Sequence, residues 1–90
     1  MAEVKTLAQR VREIMAENFG VDLARVTDEA VPERDLGADS MDVFEMLMCV
    51  EDEFNINIED DELYAADGPL NVGQFIALVE RKVEAKHAPY

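Results

Sequence analysis

With 90 residues, of which 49% are hydrophobic, the chain can form one small domain around a single core, but it has no room for a deep catalytic cleft. Its net charge of −13 at pH 7 argues against binding to nucleic acid, whose phosphates would repel it. Its one cysteine, Cys49, excludes an intrachain disulfide and fits a reducing, cytoplasmic setting, and the longest apolar run, Met46–Val50, is too short to span a membrane.

A first helix is predicted from about Glu3 to Asn18. Its apolar residues recur at helical spacing and should form one buried stripe, namely Val4, Leu7, Ala8, Val11, Ile14 and Met15. The helix is expected to end at Gly20, because glycine tolerates the left-handed conformation that commonly closes a helix.

A long connection follows, over residues 21–39. Short turns are expected at residues 22–25 and 27–29, and Pro32 should hold the residue before it out of the helical region. Apolar residues occur along the whole connection and should pack against the core, namely Val21, Leu23, Val26, Val31 and Leu36. A connection of this length inside a small domain is usually functional.

The second predicted helix runs from Ser40 to Phe54, directly after a sharp turn at Gly37. Asp39 or Ser40 is its N-cap, and Asp39 and Asp42 favour the positive end of the helix dipole. Its core stripe comprises Val43, Met46, Leu47, Val50 and Phe54. A second apolar set, Met41, Phe44 and Met48, points elsewhere. It either packs on another helix or, as we favour, is exposed for a partner.

Charge is distributed unevenly along the chain. Between Asp35 and Glu80 there are thirteen Asp and Glu residues and no Lys, Arg or His, while all eight Lys and Arg residues lie outside that span. One face of the protein should therefore be strongly negative. Such a face is either a solvated surface or a docking surface for basic partners, attracted at long range.

The remaining sequence predicts a loop and two further helices. Residues 55–61 should form a loop whose isoleucines, Ile56 and Ile58, reach the core. A short helix is expected at residues 60–64, ended by Gly68 and the proline after it. The last helix, from about residue 71 to 86, begins with a capping box and buries one stripe, namely Val72, Phe75, Ile76, Val79 and Val83.

These elements predict an all-α fold, a small bundle of three main helices and one short helix. A single domain is expected over residues 1–90, with a frayed tail at about 87–90. Catalysis is not favoured, because the only histidine, His87, lies in that tail. Cys49 has no histidine near it in the sequence, and a lone helical cysteine is most often a small buried hydrophobe.

A calcium site is the second candidate chemistry, because oxygen-bearing side chains alternate from Asn55 to Asp60. The EF-hand pattern requires glycine at its sixth position and glutamate at its twelfth. Counted from Asn55, those positions hold Asp60 and Ala66. The pattern fails, and no metal site is predicted.

The octapeptide at residues 35–42, DLGADSMD, resembles the attachment motif of acyl carrier proteins, DLGADSLD. The similarity extends over nearly the whole chain. The resemblance implies a four-helix bundle of acyl-carrier type, in which a separate magnesium-dependent phosphopantetheinyl transferase attaches 4′-phosphopantetheine from coenzyme A to Ser40. The thiol of the arm would hold acyl groups as thioesters, and the protein itself would catalyse nothing.

Several positions depart from the family pattern. Met41 replaces the usual leucine, Glu59 stands where proline is frequent, and residues 65–70 form a segment about three residues longer than usual. These departures suggest a specialised carrier beside, or instead of, the housekeeping carrier of fatty acid biosynthesis. Peptidyl or aminoacyl carriers share the fold, but their motif more often has a second glycine where this chain has Ala38 and Asp39.

The resemblance also implies partners, namely the transferase and the acyl-transferring and chain-elongating enzymes, which would meet a monomeric carrier through basic docking surfaces. The expected docking residues are Asp35, Asp39, Met41, Asp42, Phe44, Glu45, Met48, Glu51 and Asp52. An alternative without any modification is an acidic helical adaptor that binds one basic partner through the same face. The pathway and the acyl group stay open.

Overall fold

Three long helices dominate the computed structural model, which describes residues 5–86. In chain order the helices are α1 (Leu7–Phe19), α2 (Pro32–Asp35), α3 (Ser40–Phe54) and α4 (Val72–Lys86), and the strands are β1 (Tyr64–Ala65) and β2 (Gly68–Pro69). Single 3₁₀ turns occupy Leu23–Arg25 and Asp60–Leu63. Within residues 5–86, no helix is both long and apolar enough to cross a membrane.

The first helix starts later than the sequence predicted. Thr6 is its N-cap, because the Thr6 hydroxyl accepts a 3.1 Å hydrogen bond from the Gln9 N–H while the Gln9 side chain accepts one of 2.8 Å from the Thr6 N–H. This reciprocal pair closes off the helix and leaves Lys5 outside it. The predicted residues Glu3 and Val4 lie outside the described part. Gly20 ends the helix at φ 67°, as predicted.

The connection between α1 and α3 contains a helix that the sequence reading missed. Pro32 is its first residue, where a missing N–H costs nothing, and the extended Val31 precedes it. The predicted turns at 22–25 and 27–29 are confirmed. Val26 and Leu36 are buried as expected, but Leu23 is 51% exposed, so that prediction is wrong.

The core lies where α1, α3 and α4 meet, and α1 packs mainly against α3. Its fully buried residues are Val11, Ile14, Met15, Met46, Val50, Val72 and Val79. The predicted bounds of α3 are confirmed, and so is the capping box of α4 between Asn71 and Gln74. Lys86 at the end of α4 donates a 3.1 Å hydrogen bond to the Phe54 carbonyl and joins the ends of two helices.

Between α3 and α4 the chain forms a loop, a 3₁₀ turn and a hairpin. Ile58 is buried and Ile56 is partly buried, which confirms the predicted loop. The short helix predicted at residues 60–64 is a 3₁₀ turn that ends at Leu63. Two short antiparallel strands follow, and they pair Tyr64 with Pro69. The all-α bundle is confirmed, with the small hairpin and α2 as additions to it.

Candidate attachment site and docking face

Ser40 is exposed and is the first residue of α3. Asp39 is the N-cap, and its carboxylate accepts a 2.9 Å hydrogen bond from the Asp42 N–H, while the Asp42 carboxylate accepts one of 3.1 Å from the Asp39 N–H. These caps leave the amides of Ser40 and Met41 at the helix start without a partner in the helix. A phosphate ester on the Ser40 hydroxyl would meet those amides and the positive end of the helix dipole.

The chain just before Ser40 is held in place by α2. The Ala38 N–H donates a 3.1 Å hydrogen bond to the Pro32 carbonyl, and the side chains of Leu36 and Ala38 are buried. Gly37 between them takes φ 68°, a conformation that glycine adopts without strain. The turn thus projects Ser40 outward while its neighbours are anchored in the core.

The Asp35 side chain is engaged in hydrogen bonds within this segment. Its carboxylate accepts a 2.8 Å hydrogen bond from the Val31 N–H and pairs with Arg34 at 2.8 Å. The bond from Arg34, and then the bond from the Val31 N–H, lower the pKa of Asp35. Asp35 therefore stabilises α2 through these bonds. It also adds a negative charge to the surface.

The second apolar set of α3 lies in solvent. Met41 is 65% exposed, Phe44 is 55% exposed and Met48 is 50% exposed. The exposure favoured from the sequence is confirmed, and the alternative, packing on another helix of the domain, is wrong. Glu45 and Asp52 are exposed on the same helix, so the surface combines apolar side chains with carboxylates.

Glu51 has a different environment from the other predicted docking carboxylates. It is only partly exposed, and its side chain accepts a 2.8 Å hydrogen bond from the Ile58 N–H in the following loop. The neighbouring Glu53 pairs with Arg10 of α1 at 3.2 Å. Glu51 and Ile58 are seven residues apart in the sequence. The i, i+3 and i, i+4 spacing of helix neighbours therefore could not predict this contact.

A cavity of about 280 Å³ opens beside Ser40. Its lining comprises Met15, Pro32, Glu33, Ser40, Val43, Phe44, Met46, Leu47, Asp60, Leu63, Tyr64, Pro69, Leu70 and Phe75. The buried methionines Met15 and Met46, both predicted as core residues, are among them. The contributions of α2, α4 and the hairpin were not predicted, because they depend on how distant segments pack.

The structure also shows the environment of Cys49 and of the segment considered for calcium binding. Cys49 is exposed on α3, so the expectation of a small buried hydrophobe is wrong. Within residues 5–86, no group of three or more His, Cys, Asp and Glu side chains is arranged to hold a metal ion. In the segment tested for a calcium pattern, Asn57 instead donates a 2.8 Å hydrogen bond to Glu59. His87 lies outside the described residues.

Comparison with known proteins gives consistent results. The sequence model of the family described as "Phosphopantetheine attachment site" matches residues 9–76. The chain is 42% identical over 74 residues to the acyl carrier protein of Helicobacter pylori, an alignment that covers 82% of this chain and 91% of that protein. It is 41% identical over 75 residues to the acyl carrier proteins of Sinorhizobium fredii and Rhizobium meliloti, covering 83% of this chain and 92% of each relative.

Proposed function

This chain belongs to the acyl carrier protein family, and from that premise we propose that Ser40 is the residue that bears its prosthetic group. As a family member the chain is a non-catalytic carrier with covalently attached 4′-phosphopantetheine. The observation that carries the assignment is the exposed Ser40 hydroxyl at the start of α3, beside an apolar cavity.

The residues around Ser40 fit a phosphodiester. The hydroxyl oxygen of Ser40 would form the ester, and the free amides of Ser40 and Met41 would donate to the phosphate oxygens. Asp39 and Asp42 direct their carboxylates to each other's amides, so both negative charges are partly compensated before the phosphate arrives. When attached, the arm supplies a terminal thiol that holds the acyl group as a thioester.

The exposed face of α3 is the proposed docking surface for the transferase and for acyl-handling enzymes. Met41, Phe44 and Met48 form its apolar centre. Asp39, Asp42, Glu45 and Asp52 surround this centre, and they would attract basic enzyme surfaces and increase the rate of association. Asp35 and Glu51 add charge nearby, but their hydrogen bonds give them structural tasks as well.

The cavity beside Ser40 is the proposed shelter for the acyl chain. A cavity of about 280 Å³ with a largely apolar lining has room for several carbons of an acyl chain. Met15 and Met46 can shift to enlarge it, because methionine is unbranched and flexible. Nuclear magnetic resonance spectra in which core methyl signals do not change with chain length would contradict this role.

Acyl transfer in fatty acid biosynthesis, or in a specialised pathway related to it, is the proposed setting. The chain would act as a monomeric, single carrier domain over residues 1–90 in the cytoplasm. The relatives are named as acyl carrier proteins, which favours an acyl over a peptidyl or aminoacyl cargo. The alternative function is an acidic adaptor that docks through the same face. The two functions differ in whether Ser40 is modified.

The deciding measurement is intact mass after incubation with coenzyme A, magnesium and a broad-specificity phosphopantetheinyl transferase. The wild type should gain one phosphopantetheine, and Ser40→Ala should gain none. Ser40→Ala should fold normally, because Ser40 is exposed and the cap is made by Asp39. Equal mass gains for the wild type and the variant, with a transferase active on another carrier, would contradict the assignment.

A further inference from the structure

Arg25 connects the first 3₁₀ turn to the end of α2. Its guanidinium donates a 2.9 Å hydrogen bond to the carbonyl of Asp35, ten residues further along the chain. Asp35 is the last residue of α2, and the carbonyls at the end of a helix have no partner within that helix. Arg25 therefore supplies a partner that α2 itself cannot provide.

The helix α2 depends on such outside contacts because it is short. It has four residues, whereas isolated helices of fewer than about 12 residues are marginal in water. The 3.1 Å hydrogen bond from the Ala38 N–H to the Pro32 carbonyl holds its start. The bond from Arg25 holds its end, directly before the turn of residues 36–39 that leads to Ser40, which we call the attachment turn.

The segment that carries Arg25 is itself fixed to α1. The carbonyl of Val26, the next residue, accepts a 2.7 Å hydrogen bond from the Arg12 guanidinium, and the Val26 side chain is buried. The Arg25 N–H donates a 2.9 Å hydrogen bond to the Asp22 carbonyl. A continuous series of contacts thus leads from α1 through Arg25 to the end of α2 and the attachment turn.

We propose that Arg25 is a positioning residue for the transfer of phosphopantetheine to Ser40. This inference rests on the proposed carrier function. Arg25 acts through Asp35: it holds the backbone that precedes Ser40, and it thereby keeps the Ser40 hydroxyl in one place while the transferase is docked on α3. Such positioning affects the rate because a small displacement of a reacting group slows a reaction strongly.

The test compares two arginines that contact the same residue. Arg25→Ala removes the bond to the Asp35 carbonyl. Arg34→Ala is the matched control, because Arg34 pairs with the Asp35 carboxylate at 2.8 Å but is its neighbour in the chain, so that pair joins no separate segments. Both variants make the chain more negative by one charge. Both arginines are exposed, so both variants should fold.

The first readout is the rate of transfer from coenzyme A by the broad-specificity transferase, measured against the concentration of the chain. Arg25→Ala should lower kcat by roughly five-fold, the effect of losing one hydrogen bond, without raising KM. The carboxylates of α3 are intact in this variant, and the added negative charge favours a basic partner. Arg34→Ala should keep the kcat of the wild type.

Hydrogen exchange of the Ala38 amide is a second readout, and it needs no transferase. Because the Ala38 N–H is bonded to the Pro32 carbonyl, its exchange reports how often the attachment turn opens. The exchange should be about five-fold faster in Arg25→Ala than in the wild type. It should be unchanged in Arg34→Ala.

An unchanged kcat in Arg25→Ala would overturn the inference. An equal fall in Arg34→Ala would do so too, because charge would then be responsible, and so would an equal fall in Thr6→Ala, which loosens α1 without touching α2. In these cases the proposed carrier function would stand, because Ser40 had been loaded. No mass gain by the wild type would instead overturn the carrier function, and this inference with it.

Discussion

Helices α1 and α3 are alike on the inside and different on the outside. Each begins with a capping box, each ends at a left-handed residue, and the two pack against each other. On the outer side of α1, most charges are paired: Glu13 with Lys5, just before the helix, at 2.9 Å, and Arg12 with Asp28. On α3, no ion pair within residues 5–86 reaches the carboxylates of Asp39, Asp42, Glu45 or Asp52.

The comparison distinguishes the buried residues that stabilise the fold from the exposed charges that are available to a partner. Both inner faces are apolar because burial of apolar surface stabilises the domain in the same way wherever it occurs. Paired charges on α1 cancel at long range, whereas the carboxylates of α3 keep their field in the direction of an approaching partner. The outer face of α3 therefore carries the negative field that the proposed docking to a basic partner requires.

The largest expected effect distinguishes the two faces of α3. Leu47→Ala removes a buried side chain from the core and should lower the free energy of unfolding by about 2–5 kcal/mol. Met48→Ala, at the neighbouring exposed position, should change it by less than about 0.5 kcal/mol. Urea unfolding of both variants measures the difference. Similar losses for the two would mean that the outer face also supports the fold.

Charge reversal compares the outer faces of α3 and α1. The double variant Glu45→Lys and Asp52→Lys should reduce the kcat/KM of the transferase by roughly ten-fold at low salt, because it weakens electrostatic attraction. Glu17→Lys on α1 is the control, since Glu17 is also exposed but lies on a different helix from Ser40. Equal effects from both helices, or an effect that persists unchanged at high salt, would argue against a localised docking surface.

The capping boxes provide a smaller, matched pair. Thr6→Ala and Asp39→Ala each remove an N-cap and should each lower the free energy of unfolding by about 1 kcal/mol. Only Asp39→Ala should also slow the transfer to Ser40, because Asp39 is part of the proposed docking face. Thermal unfolding and the rate of mass gain, measured on the same samples, separate the two effects. A Thr6→Ala variant that loads as slowly would show that general loosening is responsible.

The smallest effect concerns single carboxylates. The hydrogen bond from Lys5, together with the Arg10 guanidinium, lowers the pKa of Glu13 on α1. Its stabilisation is therefore present above the pKa of the unfolded chain, about 4.3, and is lost as the pH falls through the lower folded value. At pH 7 and low salt, Glu13→Gln should lower the unfolding midpoint.

The matched change on α3, Glu45→Gln, removes an unpaired charge from a chain of net charge −13 and should raise the midpoint slightly at pH 7. The Glu13→Gln difference should disappear once the pH has fallen through the lowered pKa of Glu13 in the folded state. A difference that survives at pH 2 would have to come from packing and not from charge.

Much of the site was predictable from the sequence because its signals are local. Asp39, Ser40 and Asp42 indicate a helix start within four residues. The spacing of the apolar residues defines both faces of α3. The octapeptide that contains Ser40 is similarly continuous. The bounds of α3 and the exposure of Met41 and Phe44 followed correctly from these signals.

The errors come from contacts between distant or irregular segments. Leu23 was expected in the core because it is apolar, but a single apolar residue in a loop has no periodicity to assign it a face. The hairpin was missed because strands of two residues carry no alternation, and Gly68 and Pro69 suggested only a break. The hydrogen bond from the Ile58 N–H to Glu51 was not predicted, because it forms only once the loop has folded back.

The anchored turn before Ser40 has a consequence for distance. Ala38 is hydrogen-bonded to Pro32 on one side of Ser40, and α3 begins on the other, so the backbone at the proposed attachment residue is fixed. An arm that swings from a fixed pivot sweeps a sphere of constant radius, whatever cargo it bears. An enzyme that grips α3 can therefore place its catalytic residues at a set distance from its own docking surface. With the arm on Ser40 as proposed, every distance from the docking surface to the cargo is measured from the same point.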